Sequence, residues 1–239
     1  ALEKLVIEDI KPSNRRYPGI IFRPDRSVGN DILKVEKLSA TQDGQVLFSD
    51  VNFDLHKQDK VVFVSRNQLA VHAFFDIINE QRQAEGGTYA WGTTITRAYL
   101  PLNNQSFFEN DLMLMDWLRQ FVPPTVKDAD EDFLRGFFGK MLFNGDELNK
   151  KTKVLSGGEK VRCMISRMML QNPNCIILDE PTNHLDLESI TAFNNGAMDF
   201  PGVVLLSTHD LAFADSVCNR IIELTPNGII DRICTYDEY

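Results

Sequence analysis

Leu155-Ser156-Gly157-Gly158-Glu159-Lys160, followed downstream by Cys175-Ile176-Ile177-Leu178-Asp179-Glu180, is the stretch that decides the fold. The first segment is a glycine turn opening a helix that runs through Leu170. A serine and two glycines at a helix start leave backbone N–H groups free and let an anion come close to the main chain. The serine hydroxyl can donate as well, and a γ-phosphate suits such a cradle; taken alone, the same residues also read as an ordinary capped helix. The second segment is an apolar strand ending in two carboxylates. A buried strand that emerges at its carboxyl end sets Asp179 and Glu180 where ligands of open α/β sheets bind. In phosphoryl transfer one such carboxylate holds Mg²⁺, directly or through water, and the other can orient and deprotonate the attacking water.

Working outward, Val203-Val204-Leu205-Leu206-Ser207 is a second all-apolar strand, closing on Thr208-His209-Asp210. Lys60-Val61-Val62-Phe63-Val64 is a third of the same kind, as in a parallel sheet covered on both faces. Ile32–Val35 and Val46–Leu55 flank the turn Gln42-Asp43-Gly44-Gln45 and read as an antiparallel layer. Gly86-Gly87-Thr88-Tyr89 leads into a further strand pair reaching Tyr99-Leu100-Pro101, and Ala70 to Ile78 and Leu187 to Met198 suit helices. Phe107 to Lys153, rich in Phe, Leu and Met, reads as a helical insertion of two or more helices, bounded at about residues 104–153, with Phe133, Phe137, Phe138 and Phe143 in its core. The expected fold is α/β: a mainly parallel sheet, an antiparallel β layer and a helical insertion.

Composition fits this. Hydrophobic residues make up 43% of 239 residues, which supports one large domain and excludes wholesale disorder. No apolar run approaches the ~20 residues of a membrane helix, and Ala1 to Ile10 is too charged for a signal peptide. That opening reads instead as the tail of an amphipathic helix, before Pro12, Pro18, Gly19, Pro24 and Gly29 break regular structure. Residues 1–30 are therefore expected to be a linker, and residues 31–239 the folded domain. Cys163, Cys175, Cys218 and Cys234 lack metal or disulfide spacing and fit core thiols in a reducing cytoplasm. The net charge of −9 argues against a general positive field for nucleic acid, although Lys11, Arg15, Arg16, Arg23 and Arg26 make a local basic cluster.

In order and spacing, LSGGEK, IILDEPTNHLD and STHD resemble the ATP-binding cassette family. The resemblance covers most of the chain. It implies a signature loop at Ser156, Gly157, Gly158 and Glu159, and a Walker B strand ending at Asp179 with the catalytic Glu180. It further implies a D-loop carrying Asn183 and Asp186, and a switch histidine at His209. DEPTNHLDLESI, Arg15-Arg16-Tyr17-Pro18-Gly19-Ile20-Ile21-Phe22 and Glu223-Leu224-Thr225-Pro226-Asn227-Gly228 are similar to the ABC-F branch, which lacks membrane domains and acts on ribosomes. On that resemblance the chain is the second of two cassettes, with ATP and Mg²⁺ as cofactors, a second cassette as partner, a linker approaching ribosome-bound tRNA, no membrane insertion and a cytoplasmic location.

One part departs from the family pattern. A phosphate-cradling loop needs G-x-x-x-x-G-K-[ST] between a buried strand and a helix, with the lysine on the β/γ-phosphates and the hydroxyl on Mg²⁺. After Val64 stands Ser65-Arg66-Asn67-Gln68-Leu69-Ala70-Val71-His72. Ser65, Gln68 and Ala70 take the glycine positions, Val71 the lysine position and His72 the Ser/Thr position. No aromatic stands near Thr41 to Asp43 to stack adenine, and Leu102 replaces the Q-loop glutamine, with Gln105 close by. Loss of charged phosphate contacts predicts poor affinity for ATP in this chain's own half-site. The intact signature predicts instead that Ser156, Gly157 and Gly158 complete the ATP site of the other cassette, in trans, in an ATPase whose isolated half is poorly active. A transporter's ATP-binding subunit and a non-enzymatic interaction module stand as alternatives, the first predicting association with membranes instead of ribosomes.

Overall fold

The computed structural model of the chain describes residues 15–239. The amphipathic helix expected over Ala1–Ile10, and Lys11 of the basic cluster, lie outside them. The Val/Ile/Leu runs form the centre of a six-stranded sheet in the order β5-β6-β7-β3-β8-β9. Its strands are β3 (Lys60–Val64), β5 (Arg97–Leu100), β6 (Cys175–Asp179), β7 (Val203–Ser207), β8 (Arg220–Thr225) and β9 (Gly228–Arg232). All neighbours are parallel except β8 and β9, which form an antiparallel hairpin. β1 (Leu33–Gln42), β2 (Gln45–Asp54) and β4 (Gly86–Trp91) make a separate antiparallel sheet in the order β2-β1-β4.

The sheet splits the core in two, because alternate residues of each strand point to opposite faces. Val62, Ile176, Leu178, Val204 and Leu206 join the cluster on the helical side. Val61, Phe63, Cys175, Ile177, Val203 and Leu205 join the other, between the sheet and the antiparallel layer. Helix α1 (Gln68–Ile78) lies in that second cluster. Its Phe74 ring packs against Phe63 at 4.9 Å, Phe53 at 5.8 Å and Phe48 at 6.2 Å, which binds the two sheets together.

The insertion contains α2 (Leu114–Arg119), α3 (Glu131–Lys140) and the single turn α4 (Gly145–Leu148), and leads into α5 (Gly157–Leu170). Trp117 stacks on Phe108 at 4.9 Å and donates Nε1–H to the Phe107 carbonyl. Phe138 and Phe143 are buried as expected, but Phe133 is exposed and Phe137 half-buried. Phe137 still packs against the helical-side cluster, whereas the helical period carries Phe133 to the outer side of α3, where it meets Phe137 edge-to-face at 5.2 Å. A second expectation is corrected too. β4 and β5 are not a pair: β4 joins β1, and β5 joins β6 in the other sheet.

Residues 15–30 form no helix or strand, yet part of this segment is packed into the domain. Gly19 donates its N–H to the Lys140 carbonyl at 2.8 Å, and Ile20 and Phe22 are buried on the helical-side cluster. Phe22 sits edge-on between Phe193 and Phe200, on helix α6 (Leu187–Asp199) and just past its end. Burying that ring stabilises the attachment by about 2–3 kcal/mol. Gly196 makes the approach possible, since a Cβ there would lie 2.6 Å from the Ile20 carbonyl oxygen.

Candidate functional site

Every motif ends near the carboxyl edge of the parallel sheet. Asp179 is the last residue of β6 and is 2% exposed. Glu180 follows in the left-handed region at φ +51, which turns the chain sharply and aims its buried carboxylate toward the end of β7. There the His209 backbone N–H donates to Glu180 Oε2 at 3.2 Å, and His209 Nε2 lies 3.4 Å from Glu180 Oε1. The His209 ring is 71% exposed, so it can swing toward a ligand without breaking buried contacts. The sequence-assigned catalytic pair is thus brought together.

The phosphate-loop position is built otherwise. Asn67 caps α1, its side chain accepting from the Leu69 N–H at 3.1 Å, while the Ala70 N–H bonds the Asn67 carbonyl at 2.9 Å. The Asn67 N–H bonds Ser65 Oγ at 3.3 Å, and that hydroxyl donates to the Leu224 carbonyl at 2.9 Å. The helix therefore begins at Gln68, two residues before the expected start, and the N–H groups of Asn67, Leu69 and Ala70 are spent within the loop and its cap. Ala70 and Val71 are fully buried, so no cationic side chain stands in the lysine position.

His72 follows directly on Val71. Its Nδ1 is 2.8 Å from both Asp179 Oδ1 and Asp179 Oδ2, an imidazole wedged between the two oxygens of the carboxylate expected to hold Mg²⁺. Hydrogen bonding to Asp179 raises the His72 pKa above its ordinary value, against the opposing effect of burial. Around this pair lie Asp76, whose Oδ1 accepts from the Tyr99 hydroxyl at 3.1 Å, and a cavity of about 420 Å³ also reached by Leu102, Asn103, Gln105 and Glu109. Gln105, in a 3₁₀ turn (Gln105–Phe108), faces the same space as Asp179 despite its displaced sequence position. The residues present do not fit Mg-ATP in this half-site: the metal's carboxylate is engaged by the His72 imidazole, the lysine is a buried valine, and the N–H groups of Asn67, Leu69 and Ala70 are bonded within the loop.

The signature half is the opposite. Ser156 caps α5 in a reciprocal box: its Oγ accepts from the Glu159 N–H at 3.2 Å, and Glu159 Oε2 accepts from the Ser156 N–H at 2.7 Å. Ser156 and Gly157 are exposed, and the serine's own hydroxyl proton stays available to donate. The D-loop packs directly beneath. A Cβ on Gly158 would lie 3.0 Å from the His184 carbonyl oxygen, a tight contact that glycine avoids. Asn183 is exposed and its N–H bonds the Glu180 carbonyl. Asp186 is the N-cap of α6, accepting from the Ser189 N–H at 2.8 Å. Sequence reasoning placed Val71 and His72 in their slots but missed the His72–Asp179 pair, the Asn67 cap and Lys150, which touches Glu159; only Asn67, a capping residue just before an apolar helical run, carried a readable signal.

A mainly parallel sheet, its attached antiparallel layer, a helical insertion and a serine-capped helix opening on two glycines define an ATP-binding cassette. The family model described as "ABC transporter" matches residues 36–183, and the chain belongs to that family. The uncharacterized ABC transporter ATP-binding protein YkpA of Bacillus subtilis is 54% identical over 239 residues, 100% of this chain and 44% of that protein. ABC transporter F family member 2 of Arabidopsis thaliana is 28% identical, across 100% of this chain and 35% of that protein. The energy-dependent translational throttle protein EttA of Escherichia coli is 26% identical, across 92% and 40%. The chain thus spans less than half the length of these relatives. Among solved structures, an ATP-binding subunit of an ABC transporter superposes with TM-score 0.68 at 22% identity, covering 87% of this chain and 91% of that one. A dimeric cassette in a post-hydrolysis state with ADP and Pi gives 0.65 at 18%, covering 84% and 98%. At these identities the structures bear on the fold alone. Cassettes of this family bind ATP with Mg²⁺ and dimerise. Among the described residues no helix is long and apolar enough to cross a membrane.

Proposed function

We propose that this chain is one cassette of a two-cassette ABC-F ATPase that works on ribosomes in the cytoplasm. Its signature loop completes the ATP site of the other cassette, while its own half-site is silent. The observation that carries the asymmetry is the His72–Asp179 pair, with both carboxylate oxygens 2.8 Å from Nδ1 where a divalent ion would have to bind. Asp179 is therefore at most a weak Mg²⁺ ligand, and Glu180 and His209 are retained chemistry without a seated phosphate. Ser156 and Gly157, exposed, and Gly158, half-buried, offer the Ser156 hydroxyl and the glycine N–H groups to the partner's γ-phosphate. The ribosomal part rests on likeness to the translational throttle protein and to the F family member, together with the spans of those relatives that lie beyond this chain. Residues 15–30, with Arg15 and Arg16 exposed, are the end of the linker that in such a protein approaches tRNA.

The test uses the full-length protein carrying this chain. Ser156→Arg abolishes most ATP turnover, whereas Glu180→Gln costs less than threefold; the reverse ranking would sink the division of labour. Sedimentation through sucrose assigns the partner: co-migration with ribosomes supports the reading, and recovery with membranes replaces it with a transporter subunit.

A further inference from the structure

The signature of this chain carries a problem that its own fold resolves. Glu159 lies in the first turn of α5, the end of a helix whose free N–H groups attract anions. A carboxylate there is itself an anion, and it opposes the arrival of a polyphosphate at the same donors. Glu159 is 9% exposed and cannot turn away to solvent, because Oε2 is held by the Ser156 N–H. Its other oxygen, Oε1, receives Lys150 Nζ at 2.6 Å. Lys150 is firmly mounted: its carbonyl accepts from the Leu114 N–H at 3.3 Å, its N–H bonds Glu147 at 3.1 Å, and the neighbouring Lys151 bridges to Met113. Burial pushes the Glu159 carboxyl upward, but the hydrogen bonds from Lys150 and Ser156 outweigh it and hold the group below the ordinary range. These bonds favour the charged carboxylate, and Lys150 is its cationic partner.

We propose that Lys150 is a positioning residue for the trans ATP site: it cancels the charge of Glu159, so that the Ser156-Gly157-Gly158 cradle can accept the terminal phosphate of a nucleotide held by the other cassette. Lys150 itself does not touch the phosphate. This rests on the trans-signature reading given above. The carboxylate serves as the loop's internal cap, and the ammonium makes that cap compatible with a polyanion.

The experiment is a double-mutant cycle in the full-length two-cassette protein, with KM for ATP and kcat read separately. Lys150→Met raises KM about tenfold and changes kcat less than threefold, because repulsion acts as soon as the phosphate arrives. The KM defect shrinks as salt is raised from 50 to 500 mM, about tenfold to about threefold, since a partly exposed like-charge interaction is screened. Lys150→Arg restores wild-type KM. In a Glu159→Gln background, whatever that change costs alone, adding Lys150→Met has no further effect on KM, because glutamine keeps the capping geometry without the charge. Equal KM effects of Lys150→Met in the two backgrounds, or a salt-independent defect, would overturn the proposal and leave Lys150 a structural tether. Should Lys150→Met fold poorly, Lys150→Gln, which keeps a polar contact to Glu159, must show the same KM and salt pattern or the proposal falls. The failure of the underlying reading is separately visible: if Ser156→Arg leaves turnover intact, this signature is unused and the whole scheme is rejected regardless of Lys150.

Discussion

Replacing His72 with alanine strands the Asp179 carboxylate, whose side chain is only 1% exposed. Removing one partner of a buried ion pair costs about 3–5 kcal/mol, because a desolvated charge is left behind. The His72 ring is 20% exposed. Water can reach one side of the vacated space, which puts the expected loss near the lower end, at about 3 kcal/mol. For 239 residues the melting entropy is about 0.5 kcal/mol/K. His72→Ala should therefore lower Tm by about 6 °C in metal-free buffer, read by calorimetry or circular dichroism. Adding Asp179→Asn should recover most of the loss, since it removes the orphaned charge and not merely a contact. The pair's pH dependence follows from the raised pKa of His72. The stabilisation is complete below the unfolded-state value near 6.5 and is lost as pH climbs through the higher folded-state value. The Tm difference between wild type and His72→Ala is thus largest in mildly acidic buffer and narrows in alkali. A Tm change under about 1 °C, or a double variant as unstable as the sum of the two singles, would refute the reasoning that His72 fills the cation's place.

Other outcomes follow from the packing. Arg220, with its side chain 7% exposed, binds Asp231 through Nε and Nη2 and Asp59 and the Asp54 carbonyl through Nη1; Arg220→Met should lower the free energy of unfolding by about 3 kcal/mol in urea titrations. Gly196→Ala should cost about 1–3 kcal/mol and speed amide exchange at Gly19 to Phe22, because the new methyl displaces the Ile20 carbonyl. Asn67→Ala should lower stability by about 1 kcal/mol, as loss of a helix cap does, and should leave nucleotide affinity of this half-site no better.

Much of the fold was legible because β3, β6 and β7 are buried on both faces, so their residues had to be continuously apolar. The two motif loops were legible because glycine next to serine, and paired acids after such a strand, are costly unless they serve a turn or a charge. Strand partnership was not. β4 and β5 are short, close in sequence and similar in pattern, and nothing in either says that one turns back to β1 while the other crosses to β6. Phe133 misled because aromatic residues imply burial by type, whereas the helical period decides by position. The His72–Asp179 contact spans 107 positions and joins residues that each look ordinary alone. Lys150 precedes Glu159 by nine residues across a bend, a separation that no periodicity marks.

The hitch formed by Gly19, Ile20 and Phe22 has a mechanical consequence. Tension applied from the amino-terminal side loads the Gly19–Lys140 hydrogen bond and the seat of Phe22 before any sheet strand feels it. Lys140 ends α3 in the insertion and Phe193 belongs to α6, directly after the D-loop, so a pull on this short cable is divided between those two helices.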